Sequence, residues 1–214
     1  MNMNTAELVK KMIRWVYMLS PYFWVDNYYK QREFVYEPET TDWQVLRNKR
    51  LFLSEFYIVG WLGLSVILFV MTLFLDLYDW LVFLLILRIF GIVNKELGVI
   101  LFGICKITEG SMVSATGRVI VLAMVNFLTA MFLFASVYQI KGMFEDVPAY
   151  FLGDYPIAGL VNAVNLQFTM SGAFTPADTF TWLVSTSQGV FCFTFGTIVI
   201  SLFVSLLNVK PLRA

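Results

Sequence analysis

Between Asp154 and Lys210 the chain carries one charged side chain, Asp178. A stretch this long without charge is at home in hydrocarbon, where about 20 apolar residues make a spanning helix and backbone groups must be satisfied internally. The stretch divides unevenly. Residues 157–167 are half-apolar and too few to span. They run into Thr169-Met170-Ser171-Gly172-Ala173-Phe174, then Thr175-Pro176-Ala177-Asp178, then an apolar run of spanning length at 180–207. Half-helix, polar turn, full helix is the order of a re-entrant loop followed by a helix that lines water. Irregular backbone at membrane depth is tolerated only where protein buries it or where it borders a water-filled space.

Composition agrees. Of the 214 residues, 59% are hydrophobic and 14% charged, whereas charged residues make up about a quarter of an ordinary soluble domain. Lys and Arg balance Asp and Glu at 15 each, so no basic excess points to nucleic acid. Histidine is absent, which removes Ser-His-Asp chemistry and imidazole metal sites. Cys105 and Cys192 lie far apart and imply no disulfide framework. With no mid-membrane acidic cluster either, the sequence predicts a protein that is not an enzyme and has no cofactor or metal.

Taken in order, residues 5–19 place Leu8, Met12, Val16 and Leu19 at helical spacing, with Lys10, Lys11 and Arg14 mostly elsewhere. This predicts an amphipathic helix, lying either on the membrane surface or on the protein's own cytoplasmic face. Pro21, Asp26 and Lys30 interrupt the following sequence, so it does not read as a cleavable signal peptide. Aromatic residues crowd 21–36, as in a headgroup-level belt or a partner surface. Thr41 and Gln44 have capping-box spacing, which starts a helix at Asp42. Residues 56–75 form a first span and 80–93 a short second one, with Arg88 near its exit snorkelling to the headgroups. Asn94-Lys95-Glu96 reads as a break, Glu96 and Glu109 as solvated loop residues, and 97–107 as an interfacial helix or an extension of the second span, with the interfacial helix favoured. A polar loop over 108–117 precedes a third span at 119–140, which carries Asn126, Thr129 and Gln139.

Three parts follow: a cytoplasmic or interfacial arm (1–50), two spans with an interfacial segment (51–117), and a pore module (118–214). Eight of the 15 Lys and Arg precede Leu51, and the loop and tail carrying Lys95, Lys106, Arg118, Lys210 and Arg213 hold most of the rest. Positive-inside bias therefore puts both termini in the cytoplasm, with four spans in the plasma (inner) membrane.

On the last span, Ser187, Thr194, Thr197, Ser201, Ser205 and Asn208 recur at helical spacing as one polar stripe. It faces a neighbouring helix or a water-filled axis. With this stripe in place, residues 119–210 resemble the outer-helix, pore-helix, filter and inner-helix module of the tetrameric potassium-channel superfamily. The resemblance makes 161–168 the pore helix and Thr169, Met170, Ser171, Gly172, Ala173 and Phe174 the pore constriction. It implies an all-α membrane protein with four spans, a re-entrant pore helix between the third and fourth, and a homotetramer. The filter departs from the family pattern of Thr-x-Gly-Tyr-Gly-Asp, because Ala173-Phe174 stands where the second glycine and its neighbour belong. Stacked carbonyl rings need backbone conformations that alanine resists, so strict potassium selectivity is not expected.

Two functions are expected from these features. One is a homotetrameric ion pore with weak or altered cation selectivity. The other is a non-conducting membrane sensor or anchor that recruits a cytoplasmic protein through residues 1–50. In size and span count alone, the second is similar to the four-span subunit of the Kiwa phage-defence system. The bilayer and further copies of the chain are partners in both.

Overall fold

The computed structural model describes residues 5–37, 40–102, 112–153 and 156–207. Seven α-helices lie within them: α1 (Thr5–Met18), α2 (Pro21–Glu33), α3 (Thr41–Phe74), α4 (Trp80–Phe102), α5 (Met112–Lys141), α6 (Ala158–Thr169) and α7 (Thr179–Leu207). Two short strands, β1 (Phe144–Glu145) and β2 (Thr175–Pro176), pair antiparallel with Phe144 opposite Pro176. Apart from that clasp, the regular structure of the described residues is all helical.

Two of these helices are long and apolar enough to cross a membrane by length and composition. They are α3, with a mean hydropathy of 2.2, and the Ile120–Lys141 part of α5, at 2.3. The α5 window is 56% buried inside the protein against 17% for α3, so α5 is the central helix and α3 an outer one. Helix α5 packs against α3, α4, α6 and α7. Its buried face includes Ala130, Leu133, Ala135, Val137 and Tyr138. Small residues there let neighbouring backbones come close, which dispersion rewards.

The helix ends have local causes. Pro21 opens α2, where its fixed φ suits the first turn and its missing N–H costs nothing. Thr40, one residue before the expected position, caps α3 through its Oγ1, which accepts from the Trp43 N–H at 3.4 Å. Asp178 caps α7, its Oδ1 accepting from the Thr181 N–H at 3.0 Å.

The expected break at Asn94-Lys95-Glu96 is not one. Helix α4 runs through it, because each polar side chain finds a partner on another element. Asn94 Nδ2 donates to Ile13 O on α1 at 2.9 Å. Lys95 Nζ lies 5.6 Å from the centre of the Tyr22 ring on α2. Glu96, 6% exposed and not a solvated loop residue, accepts from Asn126 Nδ2 on α5 at 2.6 Å. Arg88 does not reach outward either. Its guanidinium lies over the rings of Trp61 at 4.5 Å and Tyr57 at 5.1 Å, both on α3. The polar loop expected over 108–117 is also shorter, since α5 already begins at Met112. Glu109 and Cys105 lie outside the described residues.

The N-terminal arm folds back onto the bundle, α1 against α4 and α2 against α3. Ser20 Oγ and Tyr57 Oη are 3.3 Å apart, and Arg50 and Glu33 form an ion pair at 2.8 Å. Helix α1 is three-sided. Ile13 is buried toward the protein, while Leu8, Met12, Trp15 and Leu19 stay exposed along one stripe. Lys10, Lys11 and Arg14 take the remaining face by helical spacing. At the opposite end of the bundle, Lys141 and Asp79 pair at 3.2 Å beside the β clasp.

Candidate functional site

Helix α6 has 12 residues and is buried along Ala158, Gly159, Asn162, Ala163, Leu166 and Gln167. Gly159 sets its distance from α5: a Cβ there would meet Ala135 O and Gln139 N at 3.0 Å. Those neighbours are backbone and cannot rotate away.

Four buried polar side chains then lock α5, α6 and α7 together. Gln188 on α7 donates through Nε2 to Ala163 O at 2.9 Å and to Gln167 Oε1 at 3.0 Å. Gln188 Oε1 accepts from the Tyr138 hydroxyl on α5 at 3.0 Å, and that hydroxyl also lies 3.2 Å from Ser185 Oγ. Gln167 Nε2 donates to Phe127 O at 3.0 Å, and its Oε1 also accepts from Cys192 Sγ at 3.4 Å. In a low-dielectric interior such a network is stabilising only when its members are satisfied. Here they are satisfied by one another and by two helix carbonyls.

The turn after α6 is built on two asparagines one helical turn apart. Asn162 Oδ1 accepts from the N–H groups of Ala173 at 2.9 Å and Phe174 at 3.4 Å. Asn165 Nδ2 donates to Ser171 O at 3.0 Å. Thr169 Oγ1 donates to Asn165 O at 2.7 Å and accepts from the Ser171 N–H at 3.3 Å. Met170 closes the helix in the left-handed conformation, φ 58°, a place usually taken by glycine. Gly172 is hemmed in on one side, where a Cβ would meet Asn162 Oδ1 at 3.1 Å and Phe174 O at 3.3 Å.

The six residues expected at a constriction therefore form one compact turn but do not share one environment. Thr169, Met170, Ser171 and Gly172 are exposed, whereas Ala173 and Phe174 are half-buried. The Phe174 ring packs sideways within its own chain, 5.8 Å from Phe144 and 5.7 Å from Phe151.

On α7 the buried face is Thr181, Val184, Gln188, Phe191, Cys192 and Phe195. Ser187 and Thr197 are exposed and Thr194 is half-buried, so this part of the polar stripe looks away from α5 and α6. Thr197 Oγ1 donates to Phe193 O at 2.9 Å. The side chains of Ser201 and Ser205, and Asn208 as a whole, lie outside the described residues. Gly189 and Gly196 have open space where a Cβ would stand, and α7 passes through both as one helix.

Beneath the turn, Asp178 is held below the usual carboxylate range by the Thr181 hydroxyl and then by the Thr181 N–H, both hydrogen-bonded to its charged form. Thr181 Oγ1 in turn accepts from the Met143 N–H at 2.8 Å. Among the described residues, no three Cys, Asp or Glu side chains converge to hold a metal ion.

Sequence reasoning did not single out Asn162, Asn165, Gln167, Gln188 or Tyr138. A signal was there, since amides inside an uncharged apolar helix must find partners. Their partners, however, stand on other helices. No protein-family model, curated protein or solved structure matches the chain.

Proposed function

We propose that the chain is a homotetrameric ion pore with weak or altered cation selectivity, set in the inner membrane with both termini in the cytoplasm. Helices α3, α4, α5 and α7 are its four spans and α6 its re-entrant pore helix. One observation carries this reading: the turn at 169–172 and the α7 hydroxyls of Ser187 and Thr197 are all exposed. Hydroxyls on an otherwise apolar helix gain nothing from lipid. Cyclic packing of copies is the usual way to close a homo-oligomer, and it would gather this polar surface around a common axis. The C-terminal end of α6 carries roughly half a negative elementary charge, which favours cations there. Helix α4 can span despite Arg88, Lys95 and Glu96, because each is engaged by protein groups.

Ion flux through the purified protein in liposomes tests the proposal, with Gly172→Val and empty vesicles alongside. Flux with little discrimination between potassium and sodium is expected. The variant should alter or abolish flux with assembly unchanged. A well-folded chain that remains monomeric in bilayers would sink the reading.

The exposed aromatic rings of Trp24, Phe34 and Tyr36 favour a second reading, a non-conducting sensor or anchor whose arm recruits a cytoplasmic protein. In this reading a Trp24→Ser, Phe34→Ser double variant loses a partner that co-purifies with the wild type. In the pore reading it conducts as before.

A further inference from the structure

A cleft of about 290 Å³ lies where the turn between α1 and α2 meets α3 and α4. Its walls are mostly carbon, with Leu19, Tyr22, Tyr57, Trp61, Leu84 and Leu87 among them. Two cations of α4 line it, Arg88 and Lys95, and among the described residues no Asp or Glu does. They are seven residues apart, hence two turns along one face and about 10 Å apart along the axis. The Arg88 guanidinium carbon lies 4.5 Å from the centre of the Trp61 ring and 5.1 Å from that of Tyr57. The Nε of Arg88 is buried and has no hydrogen-bond partner among the described residues. A buried donor without a partner is costly, and a bound acceptor would relieve that cost.

We infer that this cleft binds an anionic phospholipid, its phosphate between Arg88 and Lys95 and its acyl chains over α4. The guanidinium edge is a fork that matches phosphate oxygens in pairs. Among the described residues of the wall no acid offsets the two positive charges. The volume suits a phosphate with its glycerol and the first methylenes, at the lower end of small-molecule sites. Leu84, Leu87 and Phe90 line the cleft yet are also exposed on the outside of the bundle, a continuous apolar path for the chains. A soluble anion would have no use for that path. The site stands whether or not the pore conducts, because it uses neither the α6 turn nor the outward face of α7.

The test uses the full-length protein in a neutral detergent, titrated with phosphatidylglycerol, phosphatidylcholine or sodium phosphate. Thermal stability and native mass spectrometry of bound lipid are read together. Saturable stabilisation by phosphatidylglycerol alone is expected. Arg88→Gln should weaken it at least tenfold, whereas Lys10→Gln, an exposed charge on α1, should not. Gly91→Leu provides the variant that keeps both charges: Gly91 lines the cleft and has open space at its Cβ position, so the leucine fills the cavity and should abolish binding. Equal stabilisation by phosphatidylcholine overturns the inference, and so does unchanged binding in Gly91→Leu. Equal stabilisation by sodium phosphate overturns the lipid assignment in favour of a soluble phosphate.

Discussion

Gln188 on α7 and Gln167 on α6 meet amide to amide at 3.0 Å, each side chain at most 3% exposed. Both amides are satisfied inside the protein, by each other, by Tyr138 and by the carbonyls of Ala163 and Phe127. The pair therefore fixes how far α6 can slide along α7, and with it the height of the 169–172 turn.

Gln188→Leu tests this directly. The change keeps an apolar helix apolar, yet it strips partners from Gln167, Tyr138 and Ala163 O. Tyr138 keeps Ser185, and Gln167 keeps Phe127 O and Cys192, so each lost bond costs about 0.5–1.5 kcal/mol. The purified protein should melt clearly lower than the wild type, and pairing Gln188→Leu with Tyr138→Phe should recover part of the loss. Simple additivity of the two would show that the residues do not act together.

Asn162 makes a more local prediction. Its Oδ1 holds two successive N–H groups, those of Ala173 and Phe174. Asn162→Ala should free the turn while α6 remains docked through Gln167 and Gly159. Hydrogen exchange at Ala173 and Phe174 would then rise sharply, with α7 amides protected as before. Asn162→Asp, which retains the acceptor oxygen, should protect both amides better than alanine does.

The glycines divide by their surroundings. Gly159→Ala drives a methyl into backbone atoms at 3.0 Å and should destabilise by about 1–3 kcal/mol, as overpacking does. Gly189→Ala and Gly196→Ala meet open space and should be neutral or stabilising in the single chain by up to about 1 kcal/mol. Melting curves of the three variants side by side provide the check. If these two also lower the stability of the assembled protein, another copy of the chain packs at that face.

Asp178 predicts a pH dependence. Its pKa is depressed in the folded state by bonds to Thr181, so the folded state favours the ionised form. The stabilisation is complete above the unfolded carboxylate range and is lost as pH falls through the lower folded value. Asp178→Asn keeps an N-cap side chain without a titrating group. The acid limb of the melting temperature, followed from neutral pH downward, should be shallower in that variant. An unchanged acid limb would assign the effect to other carboxylates.

Much of the helical layout was legible, because an uncharged run of a given length has few other conformations open to it. Residues 157–167 became α6 and 180–207 became α7 with shifts of one or two residues at the ends. Local chemistry misled at Asn94-Lys95-Glu96. Three polar residues in a row look like a break, and only the fold supplies Ile13 O, the Tyr22 ring and Asn126 as partners. The same holds for Arg88, whose aromatic cover comes from a helix more than a span earlier. The stripe on α7 was visible from spacing alone, but its outward direction depends on which face Gln188 and Phe191 bury.

Helix α1 rests on α4 through a bond between residues 81 positions apart. At 5–20 residues synthesised per second, the arm waits roughly 4–16 s for its binding surface to be made. Throughout that interval Ile13, buried in the folded protein, lacks the helix that covers it. Helix α1 thus takes its seat only once α4 has followed it, while α5, α6 and α7 are still to come.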